Sequence, residues 1–202
     1  MSDDTEAAGS EVGWPVELAG VTETVVTTLG PNDRWNVAAL GLHEPGDDGV
    51  ATATTWGRTR TWRNFSERGE GYVQFTRDPV DFVEAALAVR EEADPVLDSA
   101  DAWARTEVDH RAEGTDAGTQ WVRWALRPVE TVVRRRVVPT TNRGHAAVVE
   151  ATVAASRLDV EAYDRETLLE RLRYFESVVE TAGSDRDQAA FERLEALVDA
   201  EW

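Results

Sequence analysis

The sequence of 202 residues lacks cysteine and lysine altogether and contains a single methionine. Without cysteine there are no disulfides, no thiolate nucleophile and no cysteine-ligated zinc or iron–sulfur site. Without lysine there is no P-loop, because that motif needs its lysine to reach the nucleotide phosphates. No apolar run approaches the roughly 20 residues that span a membrane. Residues 1–13 are acidic and lack the basic and then apolar stretch of a signal peptide. We therefore expect a soluble cytoplasmic protein with no membrane partner and a disordered acidic leader over residues 1–13.

Negative charge dominates the chain, which has 39 acidic residues against 21 basic ones and a net charge of −18. All of the basic residues are arginines. An acidic surface repels nucleic-acid phosphates, so we expect no nucleic-acid partner. We interpret the charge as a halophilic adaptation to a salty cytoplasm, where a Debye length of about 3 Å at molar salt screens the self-repulsion. In such a chain a cluster of arginines is a candidate ligand site.

The common catalytic motifs are also missing. No G-x-G-x-x-G follows a predicted strand, and neither H-E-x-x-H nor G-x-S-x-G occurs. The histidines His43, His110 and His145 are far apart in the sequence, whereas a metal site needs several converging donors. We therefore predict no metal site, and no residue is assigned a catalytic role.

Strand patterns dominate the N-terminal half of the chain. Segments rich in valine, threonine and aromatic residues occur at residues 16–29, 35–42, 50–56 and 69–76. Turn sequences such as GPND and HEPGDDG separate the first three of them. Short strands in this arrangement predict an antiparallel sheet or a small barrel.

The next part of the chain mixes helix and strand signals. Residues 78–92 predict a helix with an Asp-Pro start, and residues 100–106 predict a short second helix. A polar loop is predicted over residues 107–119. Residues 120–138 return to strand character, which Pro128 breaks into two strands or marks with a bulge.

Three helices are predicted after the last strand. The first is capped by Asn142, and the second is capped by Asp164 and stopped by Gly183. The third covers residues 186–200 and follows a sequence that resembles a capping box beginning at Asp185.

The chain therefore divides into the leader, a β domain over residues 14–138 and a helical C-terminal extension over residues 139–202. No linker rich in glycine and serine separates the last two, so we expect the extension to pack on the β domain. The fold class is mainly β with α, or α+β.

The segment TTWGRTRTWRN, residues 54–64, is the strongest candidate for a ligand site. Arg58, Arg60 and Arg63 each offer a fork of donors to phosphate oxygens. Threonine hydroxyls alternate with them, and a position between a strand and a helix also presents backbone N–H groups. The alternative is an ordinary surface in which these arginines form ion pairs and Trp56 and Trp62 anchor the core. Spacing alone does not separate the two interpretations.

The order of motifs resembles that of the FMN-binding split-barrel proteins, in their flavin reductase-like branch. The shared elements are an Asn before a small-apolar strand (NVAALGL), a basic residue–x–Thr–x–x–Asn element (RTRTWRN), and an FVVN-like strand (YVQF) followed by a helix. More narrowly, the phrases ETVVTT, NVAALGL, WGRTRTWRN, TRDPVDFVEAAL and NRGHAAVVEATVAASRL are similar to those of the mainly archaeal domain-of-unknown-function family 447. This resemblance covers about residues 18–183.

The resemblance implies an antiparallel split β-barrel with inserted helices, FMN as the cofactor, and a homodimer with the flavin near the subunit interface. Its phosphate and ribityl chain would lie at residues 58–64, and strand 36–42 with the Thr-rich run 52–55 would line the isoalloxazine ring through backbone groups. The implied cofactor-binding residues are Asn36, Thr54, Thr55, Arg58, Thr59, Arg60, Thr61 and Asn64. One departure is that Gln74 and Phe75 end the strand where relatives have Asn.

The resemblance leaves several functions open. A flavin-dependent oxidoreductase of unknown substrate and redox partner is the first expectation. The alternatives are a non-catalytic flavin-binding carrier and a structural dimer without a ligand. The run Arg134–Arg136 is expected on a strand, either as an ion-paired interface or as a site for an anionic substrate or the flavin phosphate.

Overall fold

Seven β-strands and five α-helices make up the part of the chain that the computed structural model describes, residues 12–116 and 118–202. The strands are β1 (Val21–Leu29), β2 (Trp35–His43), β3 (Ala51–Trp56), β4 (Glu70–Thr76), β5 (Arg90–Glu92), β6 (Ala100–Asp116) and β7 (Thr119–Val133). The helices are α1 (Arg60–Arg68), α2 (Pro79–Leu87), α3 (Arg143–Ala155), α4 (Arg165–Ala182) and α5 (Asp185–Leu197). The acidic leader predicted over residues 1–13 lies, apart from its last two residues, outside the described residues.

Six of the strands close into an antiparallel barrel. They follow the order β1-β4-β6-β7-β3-β2, and pairing between β2 and β1 completes the ring. The seventh strand, β5, pairs with the beginning of β2. The fold is therefore an α+β fold built on an antiparallel split barrel, and the predicted fold class is confirmed.

The barrel is split between β2 and β3. These strands pair only at Leu42 with Ala53 and at His43 with Thr52. Further along β2, residues 35–37 pair with β5 instead. Among the described strands, residues 38–41 therefore have no partner on this edge of β2. We call this gap between β2 and β3 the split.

Apolar side chains fill the barrel, and separate segments cover its ends. Leu42, Val73 and Leu126 are fully buried in the interior cluster. Phe65 of α1 belongs to the same cluster and lies against the barrel end at Gly71, where an added Cβ would meet its ring at 3.0 Å. Residues 14–18 pack at the other end, near the close of β4.

The helix predicted over residues 100–106 and the loop over residues 107–119 are both wrong. Residues 100–116 form one continuous strand, β6, which turns into β7. Ala100, Ala102, Ala104 and Thr106 are buried in alternation, which is the period of a strand and not of a helix. The outer part of this hairpin is polar because it is largely exposed.

A bulge interrupts β7 at Pro128, which is one of the two outcomes the sequence left open. Arg105 pairs with Glu130 and Thr106 pairs with Pro128, so Val129 has no opposite residue in β6. Proline cannot donate to a strand ladder, and a bulge accommodates it without breaking the strand.

Most helix starts agree with their predicted caps. The side chains of Asp78, Asn142 and Asp164 accept backbone hydrogen bonds at the starts of α2, α3 and α4. The capping box of α5 begins at Ser184, one residue before the predicted position. Gly183 ends α4 without a left-handed conformation.

Two predicted element ends are wrong. The helix predicted over residues 78–92 stops at Leu87, because residues 90–92 leave it to pair with β2 as β5. The run Arg134–Arg136 is not on a strand, since β7 ends at Val133.

The C-terminal helices pack on α2, which in turn packs on the barrel. Val83 of α2 shares a buried cluster with Val148 of α3, Leu172 of α4 and Phe191 of α5. On its other side, Phe82 of α2 packs with strand residues of the barrel. Within the described ranges, no helix is long and apolar enough to cross a membrane.

Candidate functional site

The turn between β3 and α1 exposes the start of the helix. Gly57 has a φ of 69°, a conformation that favours glycine, and it redirects the chain after β3. Thr59 is the N-cap, and its hydroxyl accepts a hydrogen bond from the N–H of Trp62 at 3.1 Å. The N–H groups of Arg60 and Thr61 have no acceptor in the described part of the chain. This helix end is therefore a ready anion site.

Two arginines flank this helix end and are only partly engaged. Arg58 donates from Nε to Oε1 of Gln120 at 3.3 Å and lies 5.6 Å from the ring centre of Trp62. Arg60 forms an ion pair with Glu91 at 3.1 Å. Each guanidinium has five N–H donors, so both keep donors for a ligand. We call residues 57–61 the arginine turn.

Asn36 and Asn64, two of the residues predicted to bind the cofactor, form buried hydrogen bonds behind the arginine turn. Asn36 of β2 donates to the Thr61 hydroxyl at 3.3 Å. Asn64 donates to the carbonyl and the hydroxyl of Thr28, at 3.3 and 2.9 Å. These bonds fix α1 against β1 and β2.

Two buried polar atoms of α1 have no hydrogen-bond partner in the part of the chain that the structure describes. They are Oδ1 of Asn64 and Nε of Arg63. A buried polar atom without a partner costs about 1–3 kcal/mol, and native proteins retain few of them. An acceptor and a donor of this kind suit a ligand that carries hydroxyl and anionic groups.

The predicted threonines of β3 face opposite sides of the sheet. Thr55 is buried inside the barrel, where its hydroxyl accepts a hydrogen bond from Nε1 of Trp124 at 2.9 Å. Thr54 faces outward. The structure thus brings Arg58, Thr59 and Arg60 together at the turn, but it separates Thr55 from them.

The arginine turn lies at the end of the split. The last residues of β3 border the split on one side, residues 38–41 of β2 border it on the other, and the bond between Asn36 and Thr61 brings the first turn of α1 to its end. Every second residue on an unpaired strand edge offers an N–H and a C=O to a ligand. The arrangement can hold a phosphate at the turn and the polar edge of a flat ring in the split.

Sequence reasoning missed the partners that hold the arginines and a cavity beside them. Gln120 and Trp121 of β7 border a cavity of about 290 Å³ together with Arg58 and Trp62. A Cβ on Gly114 would come within 2.6 Å of the Trp121 ring, so only glycine fits there. The sequence signal for this cavity was Gly114 opposite Trp121 in the β6–β7 hairpin. It was missed because residues 107–119 were predicted to be a loop.

Gln74, the departure from the family pattern, has a structural role. It is fully buried and donates to the Thr27 hydroxyl at 3.2 Å and to the Pro95 carbonyl at 3.0 Å. Its Oε1 accepts from the N–H of Leu97 at 2.7 Å. Gln74 therefore holds the chain between β5 and β6 against the barrel and has no spare group for a ligand.

The arginine run after β7 is engaged within the chain. Arg135 donates to the carboxylate of Asp101 at 2.7 Å, and Arg77 donates to the other oxygen at 2.7 Å. Burial would raise the pKa of Asp101, but these hydrogen bonds hold it below its usual range. Arg134 donates to the Leu97 carbonyl at 3.0 Å. These contacts fasten the segment that leads to the helices.

The described residues therefore form an antiparallel split barrel with the arginine turn at its opening. The chain belongs to the family described as "Protein of unknown function (DUF447)": residues 22–135 match its N-terminal domain, and residues 142–196 match its second part. No curated protein matches the chain.

A solved structure of the same family shares the fold, and solved structures of more distant proteins are similar to part of this chain. The FMN-bound protein MM1853 from Methanosarcina mazei, of the same family, superposes with a TM-score of 0.75 at 23% identity, over 89% of this chain and 96% of that one. The styrene monooxygenase flavin reductase from Pseudomonas putida S12 has a TM-score of 0.46 at 10% identity, over 59% and 93% of the two chains. Component B of nitrilotriacetate monooxygenase from Bacillus cereus has a TM-score of 0.45 at 16% identity, over 55% and 68%.

Proposed function

We propose that this chain binds FMN and acts as a flavin-dependent oxidoreductase. The phosphate binds at the arginine turn, and the isoalloxazine ring lies in the split. The observation that carries the proposal is the position of the turn, with two partly engaged arginines and an open helix start, at the end of an unpaired strand edge. The FMN-bound relative with the same fold supports it.

The phosphate end of the proposal rests on charge. A phosphate monoester carries a charge of about −1.5 to −2 at neutral pH, which the carboxylate-rich surface of this chain repels. At the arginine turn, Arg58, Arg60 and the N–H groups of Arg60 and Thr61 instead present only donors. Glu91, which pairs with Arg60, sets the orientation of that guanidinium.

The ribityl end of the proposal rests on the buried polar atoms of α1. The unpartnered Oδ1 of Asn64 can accept a hydrogen bond from a ribityl hydroxyl, which removes the cost of leaving that oxygen buried and unsatisfied. The hydrogen bond between Asn36 and Thr61 keeps α1 in register with β2.

The redox chemistry belongs to the cofactor. A bound flavin supplies hydride and electron transfer, so the protein needs to contribute binding, orientation and exclusion of water. This matches a site without a nucleophile or a general base assigned to it. The homodimer and the cytoplasmic location implied earlier remain predictions.

A binding experiment with two ligands tests the phosphate site. Purified apoprotein is titrated with FMN and with riboflavin, which lacks the phosphate, and the flavin fluorescence is followed. The wild-type protein should bind FMN more tightly than riboflavin. The double variant Arg58→Gln/Arg60→Gln should bind FMN no more tightly than riboflavin. Each charged hydrogen bond that is lost should weaken FMN binding by roughly 1.5–3 kcal/mol.

The matched control is Arg173→Gln, an exposed arginine of α4 far from the turn in sequence. It removes one arginine charge, where the double variant removes two, and it should leave both affinities unchanged. Equal binding of FMN and riboflavin by the wild-type protein would contradict the phosphate site. Bleaching of the bound flavin by NADH or NADPH supports the enzyme, whereas a bound flavin that no donor reduces supports the carrier function.

A further inference from the structure

A second cavity, of about 470 Å³, lies on the outer side of the barrel. It is enclosed by the end of β3, the β6–β7 turn and the chain between α3 and α4. Trp56, Asp116, Arg157 and Tyr163 are among the residues that line it. We call this cavity the outer cleft.

The outer cleft adjoins the split. Trp56 is the last residue of β3, the strand that borders the split, and it is followed directly by the arginine turn. Its indole faces outward and remains 53% exposed. An exposed tryptophan on a cavity wall is a candidate contact for an apolar or aromatic ligand group. Under the proposed function, a ligand in the outer cleft lies next to the flavin.

Arg157 provides a positive charge in the outer cleft. Its guanidinium stacks 5.2 Å from the ring centre of Tyr163. Within the described ranges, it has no carboxylate within 4.0 Å and no hydrogen-bond acceptor. In a chain with 39 acidic residues, a half-buried arginine without such a partner is notable. Its donors are available to an anionic group.

Other acidic groups near the outer cleft limit what can bind. Asp116 lines the cavity at the β6–β7 turn, away from the α3–α4 chain that carries Arg157. Glu23 of β1 is close enough to Arg157 for the positive charge to oppose the rise that burial causes in the Glu23 pKa. A second negative charge on the ligand would meet these carboxylates. The outer cleft therefore suits a molecule with one anionic group.

We propose that the outer cleft binds the small-molecule redox partner of the flavin, a monoanion with an aromatic or apolar ring. The ring packs on Trp56 and Tyr163, and the carboxylate or sulfonate group binds Arg157. This inference deepens the proposed function and rests on it for the position of the flavin.

Calorimetric titration with small probes tests the outer cleft. Benzoate and benzenesulfonate, which each carry one negative charge, are compared with benzamide, a neutral molecule of similar shape, on both the apoprotein and the FMN-loaded protein. At least one anion should bind about tenfold more tightly than benzamide, as expected for one charged hydrogen-bonded contact. The two anions distinguish a carboxylate from a sulfonate ligand.

Variants test whether Arg157 causes the preference for an anion over benzamide. Arg157→Gln should bring the affinity for the anion to within about twofold of that for benzamide, while Arg173→Gln leaves the preference intact. Trp56→Ala should weaken anion and benzamide alike. FMN affinity should not change in Arg157→Gln, because the phosphate binds at the arginine turn.

Two results would overturn the inference. One is a wild-type protein that binds the anions no better than benzamide, and the other is an Arg157→Gln variant that folds with an unchanged preference. Failure of the wild-type protein to bind FMN would instead contradict the proposed function. The titration of the apoprotein then still shows whether the outer cleft selects anions.

Discussion

At the scale of single residues, two buried side-chain amides show that the residue type alone does not determine whether a residue is structural or binds a ligand. Gln74 of β4 and Asn64 of α1 are both almost completely buried. Every hydrogen-bonding atom of the Gln74 amide that is buried has a partner, whereas Oδ1 of Asn64 has none. The first is a structural residue and the second is a candidate ligand contact. Burial and partner atoms, which depend on distant strands, make the difference.

Asp187 is the best-connected buried carboxylate in the described chain. It accepts hydrogen bonds from the N–H of Ser184 at 2.8 Å and from Asn142 at 3.0 Å, and it lies 3.5 Å from His145. Burial alone would raise the pKa of Asp187. The hydrogen bonds from Ser184 and Asn142, together with the charge of His145, hold this pKa below its usual range.

The lowered pKa predicts how Asp187 contributes to stability. The pKa of Asp187 in the folded state lies below the unfolded value of about 3.9. Its carboxylate therefore stabilises the fold at pH values above about 3.9, and this stabilisation is lost as the pH falls through the folded-state pKa. Asp187→Asn should therefore destabilise the protein by about 1–3 kcal/mol at pH 7. The difference from the wild type should shrink towards pH 3.

Urea denaturation at pH 7, 5, 4 and 3 measures this difference. Asp199→Asn, at an exposed position near the C-terminus, is the control and should have little effect at any pH. A gap between wild type and Asp187→Asn that stays constant from pH 7 to pH 3 would refute the assignment.

At the scale of elements, the helical part depends on one close approach between α3 and the end of α4. A Cβ on Gly144, in the first turn of α3, would lie 2.3 Å from Cα of Gly183 and 2.7 Å from its nitrogen. Both neighbouring atoms belong to the backbone, so no side-chain rotation relieves the clash. The close contact therefore requires glycine at position 144.

Gly144→Ala should destabilise the protein by about 1–3 kcal/mol through overpacking. This opposes the intrinsic preference, because alanine in a helix is more favourable than glycine by up to about 1 kcal/mol. Gly13→Ala serves as the control, since a Cβ there meets nothing within 4 Å. Thermal unfolding of both variants measures the effect, and a Gly144→Ala protein as stable as the wild type would show that the helices can separate without cost.

At the scale of the whole molecule, the net charge of −18 produces self-repulsion that salt should relieve. The Debye length falls from about 10 Å at 0.1 M salt to about 3 Å at 1 M. The exposed ion pairs weaken as well, but each contributes little. The melting temperature at pH 7 should therefore rise between 0.1 and 1 M KCl.

The same measurement near pH 4.5, close to the isoelectric point, is the control. Net repulsion nearly vanishes there, so the rise should be much smaller. An equal rise at both pH values would mean that salt acts on hydrophobic burial and not on charge.

The sequence by itself determined the features that are local. The first four strands, the caps Asp78, Asn142 and Asp164, and the position of the arginine turn between a strand and a helix could all be predicted. Strand alternation, capping and turn chemistry depend on residues within a few positions of one another. The family resemblance added the closure of the strands into a split barrel.

Only the tertiary structure decided the features that depend on distant pairing. Residues 100–106 became a strand because β4 and β7 flank them, a contact that outweighs their local preference. Likewise, the unpartnered oxygen of Asn64 and the cavity that Trp56 and Arg157 both line require segments far apart in the chain to be packed together. The candidate site therefore combines a local pattern, the arginine turn, with contacts that only the closed barrel and its helices supply.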